Sequence, residues 1–127
     1  MGSRTQWVIK TDTTDNGIHL YSHSGGESKF HDTQEALAAA KFRWNDAAYG
    51  SRIFISNIIG DNWASETGFG ILAGNCNEIL FEESYYSSTI DFPLQLVTMG
   101  GMTWSFEEFL LAEDIQENLV EQYWATA

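Results

Sequence analysis

A chain of 127 residues fits one domain, and eight Phe, five Tyr and five Trp within 43% hydrophobic residues make it too apolar for disorder, despite a net charge of -12. Cys76 is the single cysteine, which excludes an intramolecular disulfide and leaves no sign of an oxidising compartment. The opening MGSRTQ lacks an apolar signal region and no window approaches the ~20 apolar residues of a membrane span, so a soluble protein of the cytoplasm is expected.

In chain order, Gln6 to Lys10 and Ile18 to His23 read as two strands of a hairpin, with Asn16-Gly17 supplying the positive backbone angles of its turn. Asp32 with Glu35 three places on has the form of a helix start, and the helix formers EALAAAKFR carry it from about Thr33 to Arg43. Asn45 or Asp46 then caps AAYGSRIFISNII, whose apolar spacing is helical and whose terminator is Gly60; its β-branched residues leave a strand over 50–60 as the alternative. From Phe69 the pattern changes. FGILA, NEILF, YYSSTI and LQLVTM read as three or four antiparallel strands, with Pro93 starting or preceding an edge strand and Gly100-Gly101 as punctuation. Ser105 with Glu108 repeats the helix-start form, and Phe106, Phe109, Leu110, Ile115, Leu119 and Tyr123 form the apolar stripe of an acidic closing helix, kinked near Ala112. The fold class expected is α+β: one domain, residues 1–127, with an antiparallel sheet and two to three packed helices.

The charge is unevenly placed. All six basic residues, Arg4, Lys10, Lys29, Lys41, Arg43 and Arg52, precede position 53, where six acids balance them; the remaining residues hold twelve acids and no Lys or Arg. An acidic surface that only maintains solubility is one reading, and a surface that meets a basic partner is the other. Direct nucleic-acid binding through the acidic part is disfavoured, because phosphate contact needs clustered Lys and Arg.

Tyr21, His23, Gly25 and Gly26 in LYSHSGG, Arg43, Asp46, Tyr49, Arg52 and Ile53 in RWNDAAYGSRI, and Gly68, Gly70 and Ile71 in GFGI form a pattern over His19 to about Thr89. It resembles a group of small, mostly uncharacterised bacteriophage proteins, in which the position held here by Ser24 is often aromatic. The resemblance implies a phage or prophage origin and action in a bacterial cytoplasm, and implies no particular activity.

Candidate chemistry is sparse. His19 and His23 lie four apart on an expected strand, roughly 13 Å at about 3.3 Å per residue, too far to share an ion, so no metal site is expected. Cys76, His23 and Asp46 supply the residue types of a thiol nucleophile, base and orienting carboxylate, but NCN carries no hydrolase signature and a buried structural cysteine is the plainer reading. Glu82 and Glu83 point to opposite faces of a strand edge and form no acid–base pair. Gly25-Gly26 matches neither GxxxxGK[ST] nor GxGxxG, so neither a catalytic residue nor a cofactor is expected. The basic half still allows an anion pocket of His23, Gly25, Gly26, Arg43, Trp44, Tyr49 and Arg52, against which stands simple pairing of the two arginines with Asp46 and other acids.

The leading expectation is a non-enzymatic phage accessory protein that binds a basic bacterial protein and blunts a nucleic-acid-directed defence, of the anti-CRISPR or anti-restriction kind. Glu107, Glu108, Glu113, Asp114, Glu117 and Glu121 would imitate nucleic-acid phosphates. The alternatives are a sponge for a nucleotide second messenger, held by the anion pocket with Trp44 or Tyr49 stacking on the base, and a virion or assembly component. The last would be a homo-oligomer built on exposed aromatics such as Trp124.

Overall fold

A computed structural model describes residues 4–81, 86–117 and 119. It is an α+β domain, with one six-stranded sheet in the order β3-β2-β1-β4-β5-β6. The strands are β1 (Thr5–Lys10), β2 (Asn16–Ser22), β3 (Phe69–Asn75), β4 (Tyr86–Asp91), β5 (Leu96–Met99) and β6 (Met102–Ser105). Every pairing is antiparallel except β1 with β4, which is parallel. Helices α1 (Lys29–Ala39), α2 (Ala47–Ile59) and α3 (Phe106–Leu111) complete the fold.

Alternation along β1 divides the molecule. Thr5, Trp7 and Ile9 face the helices, and the Trp7 indole donates to Thr33 Oγ1 of α1 at 2.9 Å. Leu20, Ile90 and Val97 share that face, and with Phe30, Leu37, Phe54, Phe92, Phe106 and Phe109 they form the core. Ring contacts of Phe106 with Trp44 at 5.2 Å and with Phe92 at 5.3 Å close one end of it.

Gln6, Val8 and His19 point the other way and are just as buried, which the strand order explains. β3 and β4 run parallel with β2 and β1 between them, so the chain must cross the sheet after Asn75. Residues 76–81 begin that crossing on the face away from the helices: Leu80 lies on Gly74, and Phe81 lies beside Gly70 and stacks on Tyr21 at 4.9 Å. NEILF, expected as a strand, is this cover. Leu80 and Phe81 pack down on the sheet instead of pairing, and Ile79 stays exposed.

Other boundaries also differ from expectation. Asn16-Gly17 already belongs to β2, and the hairpin turn is organised by Asp12, whose Oδ1 accepts from the Thr14 amide at 2.9 Å and from the Thr14 hydroxyl. These bonds hold the Asp12 carboxyl below its usual pKa. α1 starts at Lys29 rather than Thr33, because Lys29 and Phe30 are needed inside the core; Asp32 accepts from Ser28 Oγ at 2.7 Å instead of capping. Residues 47–59 are helix and not strand, capped by Asp46 through the Tyr49 amide at 3.2 Å and ended by Gly60 at φ 57°. Pro93 precedes a strand as expected, in the turn before β5, but β5 lies between β4 and β6 and is not an edge. Gly100 and Gly101, at φ 60° and 79°, form a two-residue hairpin turn to β6, a strand the sequence reading passed over. Ser105 and Glu108 form the expected capping box, but α3 ends at Leu111, where Ala112 turns extended. The kink expected near Ala112 is a break: helical backbone resumes at Gln116 and Glu117, with the Leu119 amide bonded to the Ile115 carbonyl at 3.1 Å, in a segment that docks on α1. The expected end of the closing helix, residues 120–123, lies outside the described residues.

Candidate functional site

The acidic side of the molecule is built where that segment meets α1. Gln34 Nε2 donates to the Phe109 carbonyl at 2.9 Å. Gln116 bridges two elements: its Nε2 donates to the Gly26 carbonyl at 2.7 Å and its Oε1 accepts from the Phe30 amide at 2.8 Å. These bonds satisfy backbone groups at the start of α1, a place where helices leave donors unpaired. They also fix Glu113, Asp114 and Glu117, all exposed, beside the turn that carries Gly25 and Gly26. A cavity of about 310 Å³ opens there beside Asp114, Ile115, Gln116 and Glu117.

Glu107 is exposed on α3. Glu108 is engaged otherwise: its Oε1 accepts from the Ser105 amide at 2.9 Å while its own amide donates to Ser105 Oγ at 3.1 Å, and these bonds lower its carboxyl pKa. It is a helix cap before it is a free charge. Glu121 and Trp124 lie outside the described residues, as do Glu82 and Glu83.

The anion pocket expected from sequence is divided by the fold. His23, Gly25 and Gly26 follow β2 at the edge where β1 begins, since Thr5 opposes Ser22. Arg43, Trp44, Tyr49 and Arg52 follow α1 near Phe92, which bonds to the Lys10 carbonyl where β1 ends. The six residues of β1 span roughly 20 Å, so the two groups stand at opposite ends of the sheet. The physical reason is α1 itself, an 11-residue rod of about 16 Å set between them.

At the first end, His23 is exposed, its amide donates to the Gly68 carbonyl at 2.9 Å, and its Nδ1 meets Tyr21 Oη at 3.1 Å. Gly25 is a packing glycine: a Cβ there would stand 2.7 Å from Ser22 Oγ and 3.4 Å from the Trp7 ring. At the second end, Trp44 is buried and its indole donates to the Leu37 carbonyl at 3.0 Å, which rules out stacking on a ligand. Tyr49 is 58% exposed with the Arg43 guanidinium 5.2 Å above its ring. Lys41 and Arg52 are exposed nearby, and Phe42 is 98% exposed. Among the described residues no ion pair joins Arg43 or Arg52 to a carboxylate, so the expected pairing with Asp46 is replaced by the cap that Asp46 makes and by Arg52 reaching Ser56 Oγ at 3.5 Å.

Cys76, His23 and Asp46 do not assemble. Cys76 lies by Gly17 at the start of β2 and His23 just past its end, roughly 20 Å away along the strand. His19 is buried with Nε2 3.0 Å from the Asn75 carbonyl, and the described residues hold no group of three His, Cys, Asp or Glu able to grip a metal. Among the described residues no helix is long and apolar enough to cross a membrane. Comparison with known proteins gives no match to a family model, a characterised protein or a solved structure.

Proposed function

We propose that the protein acts by binding, offering its acidic face to a basic bacterial protein in the manner of a phage-encoded inhibitor of a nucleic-acid-directed defence. The observation that carries this reading is the fixed placement of exposed Glu113, Asp114 and Glu117 against α1, with Glu107 on α3, in a chain with no Lys or Arg after Arg52. Carboxylates held on a packed scaffold imitate phosphates better than carboxylates on a loose tail, because less ordering entropy is lost on contact. The phage assignment rests on the sequence pattern around LYSHSGG.

The test compares the wild-type protein with a Glu107→Gln, Glu113→Gln, Asp114→Asn, Glu117→Gln variant, both immobilised in bacterial lysate. Glu108 is left in place because it caps α3. A basic protein retained by the wild type at about 50 mM salt, released near 300 mM and ignored by the variant is the expected result. Equal retention by both proteins would refute the acidic face as the contact.

A second reading is favoured by the cationic corner. Arg43 over Tyr49, with Lys41, Arg52 and exposed Phe42 alongside, suits an anionic ligand with an aromatic base. It has shed His23, the glycine pair and Trp44 from the expected set. A thermal-shift panel of cyclic and ADP-ribose nucleotides tests it: a tight ligand raises the melting temperature in the wild type and not in Arg43→Ala, and a flat panel removes the reading.

A further inference from the structure

Among the described residues β3 is an edge of the sheet and pairs with β2 alone. Its ladder with β2 is bracketed by His23 N to Gly68 O at 2.9 Å and Cys76 N to Asp15 O at 2.7 Å, each joining directly opposed residues. In an antiparallel ladder bonded pairs alternate. Gly70, Leu72 and Gly74 therefore bond inward to β2, and the N–H and C=O groups of Phe69, Ile71 and Ala73 face outward, while the Asn75 carbonyl is already engaged by His19 Nε2 at 3.0 Å and the Glu78 amide at 3.2 Å. Soluble proteins blunt such an edge with charge, proline or a bulge. Here no charged residue and no proline occurs between Glu66 and Glu78, while Ile71 is 53% exposed, Leu72 47% and Ile79, on the crossover, 61%.

We infer that this edge binds a second copy of the chain, β3 adding antiparallel to β3 about a twofold axis at Leu72, so that two six-stranded sheets become one. The pattern Gly70-Ile71-Leu72-Ala73-Gly74 is self-complementary about its centre: glycine opposes glycine, and the large Ile71 opposes the small Ala73 of the second copy. The outward groups agree with the same register. Ile71 exchanges both backbone bonds with Ala73 of the second copy, and Ala73 with Ile71 on the other side of the axis, which leaves Leu72 in the closer, non-bonded position on the axis. A one-residue slip would set outward groups against inward ones. Charge selects the site as well. Two copies each of charge -12 repel, and an uncharged edge lets them approach without setting carboxylate against carboxylate.

The test is disulfide trapping in a Cys76→Ser background. Leu72→Cys places two thiols at a cross-strand Cα separation of about 4.5 Å, within disulfide reach, and is expected to give a covalent dimer on mild oxidation. Asn75→Cys puts its two copies roughly 20 Å apart in this register and is expected to stay monomeric. Light scattering on the unmodified protein should show a dimer that tightens as salt screens the mutual repulsion, the opposite of the salt response of the acidic face. Ala73→Pro removes an N–H that, by the same alternation, no bond among the described residues uses, so it should yield a folded monomer with a thermal transition within a few degrees of the parent monomer's. A protein monomeric at every salt and concentration, equal cross-linking at Asn75→Cys, or a dimer that survives Ala73→Pro would each overturn the inference.

Discussion

The two halves of the sheet are built on different terms. At β1 and the adjoining part of β2 the helices cover one face and residues 76–81 begin to cover the other, and Gln6, Val8 and His19 are as dry as Trp7, while β3 has no buried residue. Among the described residues the half made of β4, β5 and β6 is more open on the face away from the helices: Ser87, Thr98 and Thr103 are exposed there, although Asp91 is buried beside Lys10. The cause is strand order: β4 inserts beside β1, and the chain must cross two strands to reach it. The consequence is where polar groups become trapped. Among the described residues, the Gln6 amide and His19 Nδ1 are buried on the face away from the helices without hydrogen-bond partners, as is Ser88 Oγ on the helix face of β4, while Thr98 and Thr103 hydroxyls share one bond at 3.2 Å and keep their hydration.

The largest expected effect ignores this division. Phe106 is fully buried on the helix side and touches both Trp44 and Phe92, so Phe106→Ala should lose about 3 to 5 kcal/mol in urea unfolding through transfer and cavity terms together. A loss under about 1 kcal/mol would mean that the helix-side core is not what joins the halves. Gln6→Leu probes the covered half alone. It deletes two unpaired buried polar atoms at nearly constant volume and should stabilise by about 1 to 3 kcal/mol, an unusual sign for a core substitution. If it destabilises instead, Gln6 is solvated or bonded in solution and the crossover is a looser cover than the packing of Leu80 and Phe81 implies.

Much of this plan was legible in the sequence, and the failures share a cause. Local punctuation worked: the Ser105 and Glu108 capping box, Asp46 as a cap and Gly60 as a stop all act within four residues of themselves. Features set by distant contacts did not. Lys29 was expected before a helix and lies inside one because Thr5 and Trp7 receive it; NEILF has strand composition and serves as a lid because strand order demands one. The candidate site failed in the same way. Nothing local told that α1 would hold His23 and Arg43 a sheet's length apart, or that Gln116 would fasten the acidic segment to Gly26. Residue types named the charges, and topology decided which of them stand together.

Lys29 tests the covered half from the helix side. Its ammonium is fully buried, donating to Thr5 Oγ1 at 2.6 Å and the Gln6 carbonyl at 2.7 Å over the Trp7 ring, and desolvation pushes its pKa well below 10.5. In the window between that lowered value and about 10.5 the unfolded chain holds the proton and the folded one does not, so stability rises with pH there, by at most about 1.4 kcal/mol per unit, and is flat above it. Below the folded value both states are charged and this slope vanishes as well. Unfolding followed from about pH 8 to about pH 10 should show a rise in the wild type that Lys29→Met lacks. Parallel curves for the two proteins would show that the ammonium is not desolvated as its burial requires.

The smallest effect is the sharpest test of the comparison, because it asks the same chemical deletion of neighbouring strands. Ser88 Oγ on β4 faces the helices, buried and without a partner among the described residues; Thr98 Oγ1 on β5 faces water. Ser88→Ala should be neutral to stabilising, since the hydroxyl it removes is desolvated and unpaired. Thr98→Val exchanges a hydrated hydroxyl for a methyl of like shape and should change stability by no more than about 0.5 kcal/mol, although it breaks a visible bond to Thr103. The outcome turns on water rather than on the bond count. A loss above about 1 kcal/mol at Thr98 would mean that this face, too, is closed in solution, and the contrast between the halves would fail where it is most exposed.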